Sequence, residues 1–256
     1  MITIKSEREV EAMAAAGQIL AETLALVSSK THPGVSTEEL DDLAEEFIRS
    51  HPGATPSFKG LYDFPKSLCT SIGAEVVHGI PALNRVLGEG DILSVDCGVC
   101  LEGLHADSAI TIPVGSIDAD VERLLAVTQE ALRAGIAAAR VGNHTGDIGH
   151  AIQTIAEGAG FSVIRELVGH GVGTQMHEGP QVPNYGKPKR GRRLVEGMTL
   201  AIEPMINMGG PEIRTLDDKW TVVTADGSLS AHFEHTVLIH RDGPRILTTV
   251  PEHSAV

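Results

Sequence analysis

One stretch limits the possible folds more than any other: Asp96-Cys97-Gly98-Val99-Cys100-Leu101-Glu102-Gly103-Leu104-His105-Ala106-Asp107, with Ile92-Leu93-Ser94-Val95 before it and Ser108-Ala109-Ile110-Thr111-Ile112 after it. Two apolar runs flank a turn near Glu102-Gly103, so the stretch predicts a β-hairpin. Counting outward from the Leu101-Glu102 midpoint sets Asp96 opposite Asp107 on one face of the sheet, about 5 Å apart. Carboxylates facing each other in a buried strand pair repel, and one pKa rises unless a positive charge lies between them. One or two divalent cations would meet that need. The plainer alternative puts one Asp in the turn and turns the other to solvent.

The second half of the chain carries more of the same chemistry. Gly169-His170-Gly171-Val172-Gly173 sets a histidine among glycines, where backbone can approach a ligand closely. His177-Glu178-Gly179-Pro180 follows. Met198-Thr199-Leu200-Ala201-Ile202-Glu203-Pro204 reads as an apolar strand ending in an acid, where proline stops the ladder. Ser230 to Ile239 reads as a strand with Glu234 in its interior. Four acids, Asp96, Asp107, Glu203 and Glu234, therefore fall in strands that otherwise read as core, with no Lys or Arg close to them in sequence. Leaving them unpaired would cost several kcal/mol each. Four negative charges match two divalent cations, and an oxygen-rich set with one imidazole, His170, suits Mn, Fe(II), Co or Zn. The pattern predicts a two-metal hydrolytic site.

Composition excludes several other classes. The net charge of -14 over 256 residues offers no basic footprint for nucleic acid or an anionic membrane. No run approaches 18 apolar residues and no apolar stretch follows the charged start, so neither a membrane span nor a signal peptide is expected, and the expected address is the cytoplasm. Three cysteines agree with a reducing compartment. Cys97-x-x-Cys100 sits in a strand and its turn rather than at a helix N-terminus, which argues against a redox or structural zinc role.

Ser6-x-x-Glu9 and Ser36-x-x-Glu39 are capping boxes opening two helices, stopped by His32-Pro33-Gly34 and His51-Pro52-Gly53. The second presents Leu40, Leu43, Ala44 and Phe47 on one face. A third helix begins at Asp118 and a fourth after Gly142-Asn143-His144-Thr145. Shifting Gly34, Thr37, Leu40, Leu43, Ala44 and Phe47 by 108 residues gives Gly142, Thr145, Ile148, Ala151, Ile152 and Ile155. That echo hints at an internal duplication. Lys187 to Glu196 forms a basic polar loop, and no linker divides the chain.

Taken together, Pro65 to Cys69, His78-Gly79-Ile80-Pro81, the eleven-residue step from Asp96 to Asp107, Gly169 to Gly173 with His177-Glu178, Thr199 to Pro204 and Ser230 to His235 closely resemble the motifs of the type I methionine aminopeptidases. The resemblance implies an α+β pita-bread fold: one catalytic domain over 1–256, with pseudo-symmetric halves of about 1–115 and 116–256 and a curved antiparallel sheet covered by helices. It implies removal of the initiator methionine from proteins and peptides with a small second residue, a protein-maturation step. Asp96, Asp107 and Glu234 would hold or bridge one metal, and Asp107, His170, Glu203 and Glu234 the other. Glu203 would accept a proton from water, His177 would bind the carbonyl oxygen and His78 the following amide nitrogen. The methionine pocket would be walled by Phe58, Leu61, Phe64, Cys69, Met176 and Trp220. The implied substrates are peptides and nascent polypeptides, met by a monomer without nucleic acid or membrane.

The chain departs from the family pattern at Gly73-Ala74, at Val77 before His78 and at Met176 before His177, where the family commonly has an aromatic. The competing readings are a proline-specific peptidase on the same fold and a binding protein of that fold without catalysis.

Overall fold

The computed structural model describes residues 2–250. Both predicted capping boxes are present, with the Ser6 and Ser36 hydroxyls accepting from the Glu9 and Glu39 amides. Helix α1 (Glu7–Lys30) buries Val10, Met13, Gly17, Leu20, Leu24 and Val27 along one side, and α2 (Thr37–Ser50) buries Leu40, Ala44 and Ile48. Leu43 and Phe47, expected on that face, are only half-buried, because the stripe runs through Ile48 instead. By length and composition alone α1 is apolar enough to cross a bilayer, a test that a buried core helix also passes. Its apolar side is instead packed in the core with the Ile92–Leu101 strand, whose Leu93, Val95 and Cys97 join the same cluster as Ala16, Leu20 and Leu24.

Helices α3 (Ala119–Ala138) and α4 (Thr145–Gly158) pack against each other and against a second apolar cluster that includes Leu200, Ile202, Ile206 and Val237. The spans of α2 and α4 are offset by 108 residues at both ends, and both helices are entered in the same way. Gly34 N donates to Leu87 O at 2.8 Å and Gly142 N to Leu194 O at 3.0 Å, while Thr37 and Thr145 donate to Arg85 O and Arg192 O, both at 2.9 Å. Thus the 108-residue echo extends from side-chain pattern to backbone bonding.

The long hairpin, Ile92–Leu101 with Leu104–Pro113, forms as the sequence predicts, but its register differs. Leu101 pairs with Leu104, so Glu102 (φ 53°) and Gly103 (φ 77°) make a two-residue turn with both residues left-handed. Asp96 therefore pairs with Ala109, and Asp107 with Gly98. The two aspartates are diagonal neighbours on one face rather than directly opposed, since the true midpoint lies one residue later than the sequence count assumed.

Two further segments face each other across a common register, with Ile202 opposite His235 and Met205 opposite His232. Each is broken once. Thr199–Ile202 and Met205–Asn207 are separated by Glu203-Pro204, and Ser230–His232 and His235–Leu238 by Phe233-Glu234. Glu234 is thus not inside one strand, as the sequence suggested, but at the junction of two. Carrying the register across the break puts Glu203 opposite Glu234. There the Glu234 backbone turns to the hairpin: its N–H donates to Ala109 O at 2.9 Å and its carbonyl accepts from Ala109 N at 3.4 Å. One row accordingly runs Asp96, Ala109, Glu234, Glu203 across the fold.

Candidate active site and metal centre

This row assembles the predicted acids from segments more than 100 residues apart, and Asp107 joins it from the adjacent position of the same face. His170 arrives on the short strand Gly169–Gly171, paired with Ala201 two residues before Glu203. Its glycine neighbours are required by backbone proximity: a Cβ on Gly169 would lie 2.3 Å from Ala201 O, and one on Gly171 2.2 Å from Gly179 O. The His170 Nδ1 contacts Gly171 O at 2.9 Å, which leaves Nε2 facing the acids, 3.6 Å from Asp107 Oδ2 and 3.5 Å from Glu203 Oε1. That is the arrangement of a metal-ligating imidazole held through its other nitrogen.

Three observations fit these residues to divalent cations. Donor atoms of Asp107, His170 and Glu234 all lie within 4.8 Å of one another. Asp96 Oδ1, Asp107 Oδ1 and Glu234 Oε1 are buried without a hydrogen-bond partner. No lysine or arginine is among the described residues lining the cavity around them. In the protein alone, burial pushes Asp96, Glu203 and Glu234 well above the usual carboxylate range, their acidic neighbours adding to the effect, and burial pushes Asp107 up to about 8. A bound cation inverts that balance and favours four ionised ligands.

The cavity beside the acids has a volume of about 250 Å³. All five predicted metal ligands line it, as do His78, His177, Phe58, Leu61, Phe64, Cys69 and Trp220. Phe64 and Trp220 meet edge to face at 5.0 Å, and the His78 ring stands edge-on to Trp220 at 6.5 Å. His78 has a left-handed backbone (φ 61°), a strained conformation for a side chain of this size. Burial lowers the pKa of His78 and of His177 to about 4, so both are neutral hydrogen-bonding groups near pH 7. The His177 ring lies 4.5 Å from that of His170.

Met176 is placed differently from the expectation. It is 3% exposed and clusters with Phe58, Phe64 and Cys69, but it does not line the cavity; it packs behind the wall, against Gly98 on the hairpin. Sequence reasoning missed Tyr62 and His232, which do line it. Tyr62 is 69% exposed and stacks on His177 at 5.9 Å from a tight turn that carries no sequence signature of a site. His232 had a readable signal, since it stands two residues before Glu234 and so shares its side of the chain.

The loop bearing His177 is tied to the N-terminus of the chain. Lys5 Nζ lies 2.8 Å from Glu178 Oε2, with both side chains 4% exposed, and the Thr3 hydroxyl donates to the same carboxylate. Breaking a buried pair from one side strands the other charge, at a cost of about 3–5 kcal/mol. Lys5→Met is therefore expected to lower the melting temperature by several degrees, and Lys5→Met with Glu178→Met to recover most of it. Thermal unfolding of the two variants checks this, and an unchanged melting temperature in the single variant would contradict it.

Comparison with known proteins gives the family. Residues 11–241 match the model of metallopeptidase family M24. The methionine aminopeptidase of Clostridium perfringens is 55% identical over 250 residues, covering 98% of this chain and 100% of that protein. Methionine aminopeptidase 1 of Bacillus subtilis is 52% identical, again over 98% of this chain and 100% of the relative. The crystal structure of methionine aminopeptidase from Thermotoga maritima superposes with a TM-score of 0.95 at 44% identity, covering 97% of this chain and 100% of that one.

Proposed function

Because the chain belongs to metallopeptidase family M24, we propose that it is a metal-dependent methionine aminopeptidase, which hydrolyses the first peptide bond of polypeptides that begin with Met and have a small second residue. The observation that carries this reading is the meeting of an all-acid and imidazole cluster, with orphaned oxygens and no cationic side chain, and an aromatic-walled cavity of side-chain size. Asp96, Asp107, His170, Glu203 and Glu234 would hold two divalent ions of the Mn, Fe(II), Co or Zn class. When bound, such ions supply Lewis acidity and lower the pKa of water toward neutrality.

The chain's own residues do the rest. Phe58, Leu61, Phe64, Cys69 and Trp220 receive the methionine side chain, excluding water and offering its sulfur aromatic contacts of about 0.3–1.5 kcal/mol. His177, neutral and beside His170, donates a ring N–H to the carbonyl oxygen as negative charge develops there. His78 binds the amide nitrogen that follows. Glu203, which faces both Glu234 and the His170 Nε2, accepts the proton released by water and passes it to the leaving amine. The same reading makes the substrates nascent or finished polypeptides in the cytoplasm, acted on by a monomer.

Mass spectrometry of Met-Ala-Ser incubated with chelated protein, with and without Mn, tests the reaction: release of free Met only when metal is restored is expected, and full activity after exhaustive chelation would contradict the reading. Preference for Ala-Pro-Ser over Met-Ala-Ser would replace it with a proline-specific peptidase. Within the methionine pocket, norleucine is expected to be accepted and branched Leu to be slower by roughly 10–200-fold in kcat/KM, the range set by apolar discrimination. Equal rates on Met-Ala-Ser and Leu-Ala-Ser would show that this wall does not select the side chain. Met176 backs the wall rather than lining it, so it bears on the Met-over-Leu preference only through the residues it packs with, Phe58, Phe64 and Cys69.

A further inference from the structure

His232 is fully enclosed (2% exposed), lines the cavity, and has an Nε2 without any hydrogen-bond partner. Its nearest carboxylate is Glu234, with Oε2 at 3.9 Å. Glu234 is itself orphaned at Oε1. A buried donor and a buried acceptor left unmade cost about 1–3 kcal/mol each, so their coexistence beside a candidate metal centre calls for an occupant that completes them. His232 is fixed at the end of its strand opposite Met205, and across the break at Phe233-Glu234 its Nε2 comes 3.9 Å from Glu234 Oε2. Its ring thus faces Glu234 and the cavity.

We propose that His232 is a positioning residue of the metal centre: its Nε2–H hydrogen-bonds the Glu234 carboxylate and orients it toward a bound cation. The donors that already converge within 4.8 Å are those of Asp107, His170 and Glu234, and His232 stands beside the last of these, with its Nε2 3.9 Å from Glu234 Oε2. A shift of about 1 Å brings the Nε2 to hydrogen-bonding distance of the carboxylate. Such outer partners hold ligating groups in register, and losing one typically weakens metal binding 10–100-fold. No lysine or arginine lines the cavity among the described residues, so the imidazole is the donor at hand for this carboxylate.

The inference rests on the metal-centre reading above, and the test separates the two. Mn binding to chelated protein is measured by titration calorimetry for wild type, H232M and H232Q. Expected are a roughly 10–100-fold weaker affinity in H232M, retention to within a few-fold in H232Q, whose amide offers an N–H at similar reach, and no fall in the melting temperature of metal-free H232M, which loses an orphaned polar atom. Wild-type affinity in H232M overturns the proposal. So does a loss in H232Q as large as in H232M, because that outcome assigns His232 direct coordination or plain packing. Should H232M not fold, H232N carries the same test: its amide is too short to reach Glu234 and is expected to bind Mn more weakly than H232Q, and equal affinities overturn the proposal. Absence of Mn binding by wild type would instead sink the metal-centre reading itself.

Discussion

Glu203→Gln is expected to lower kcat by roughly 100-fold or more, the usual loss when a general base is removed. The substitution keeps the size of the side chain but removes both a ligand charge and the proton acceptor. Its position makes compensation difficult. The carried-over register sets Glu203 opposite Glu234, with Oε1 3.5 Å from the His170 Nε2, while Asp107, the other carboxylate near that nitrogen at 3.6 Å, is fixed on the hairpin and comes from the opposite side of the row. The break at Glu203-Pro204 also fixes the backbone there, since proline cannot donate to a ladder. Steady-state turnover of Met-Ala-Ser at saturating Mn, with melting temperature as the control for folding, reads the effect. More than about a tenth of wild-type kcat would show that proton transfer or metal ligation is wrongly assigned to this residue.

A second large effect concerns pH and metal removal together. In the folded, metal-free chain burial pushes the Asp107 carboxyl up to about 8 from its ordinary 3.8. The folded state therefore binds more protons than the unfolded one between those values, and the stability this contributes is complete below about pH 3.8 and lost as pH rises through about 8. Asp96, Glu203 and Glu234 act in the same direction. Buried histidines act in the opposite one: burial lowers His78, His177 and His235 to about 4 and His232 to about 3, so they add stability as pH rises through the ordinary imidazole value of 6.5. Between pH 6.5 and 8 each of those histidines still adds about 0.4 kcal/mol as its unfolded-state ring finishes losing its proton, and the four raised carboxylates together outweigh that gain. Chelated protein is thus expected to lose stability between pH 6.5 and 8, with Asp107 alone contributing about 2 kcal/mol over that span. The melting temperature should fall by several degrees. Saturating Mn should abolish the decline, because a cation keeps the same groups ionised. Thermal scans at pH 6.5 and 8 with chelator and with Mn decide the matter; a chelated protein whose melting temperature rises over this interval would contradict the burial of four uncompensated acids.

Much of this centre was legible in local pattern. Capping residues and 3.6-residue spacing located the helices, two apolar runs and a Glu102-Gly103 turn located the hairpin, and acids standing in apolar runs identified Asp96, Asp107, Glu203 and Glu234 as groups that need a cation. Glycines on both sides of His170 marked a place of close backbone approach, and the structure explains them by the Ala201 and Gly179 carbonyls. All of these signals act within a dozen residues, where side-chain period, turn chemistry and the cost of a buried charge leave a direct imprint.

What lay beyond reach depended on how distant segments align. A one-residue difference in the hairpin midpoint turned a facing Asp pair into a diagonal one, because register is set by turn geometry and not by the acids it carries. The row from Asp96 through Ala109 and Glu234 to Glu203 joins strands far apart in sequence, through backbone bonds that no side-chain pattern reports. Packing sent Met176 behind the wall, brought Tyr62 onto His177 and buried Lys5 against Glu178. The composition of α1 alone would suit a bilayer, and only its docking with the hairpin makes it a core helix. The sequence by itself determined which residues are candidates for the chemistry, since charge, ring and glycine are properties of single positions; the tertiary structure alone decided which of them meet, since a distance of a few ångströms between segments a hundred residues apart is settled by strand register and core packing.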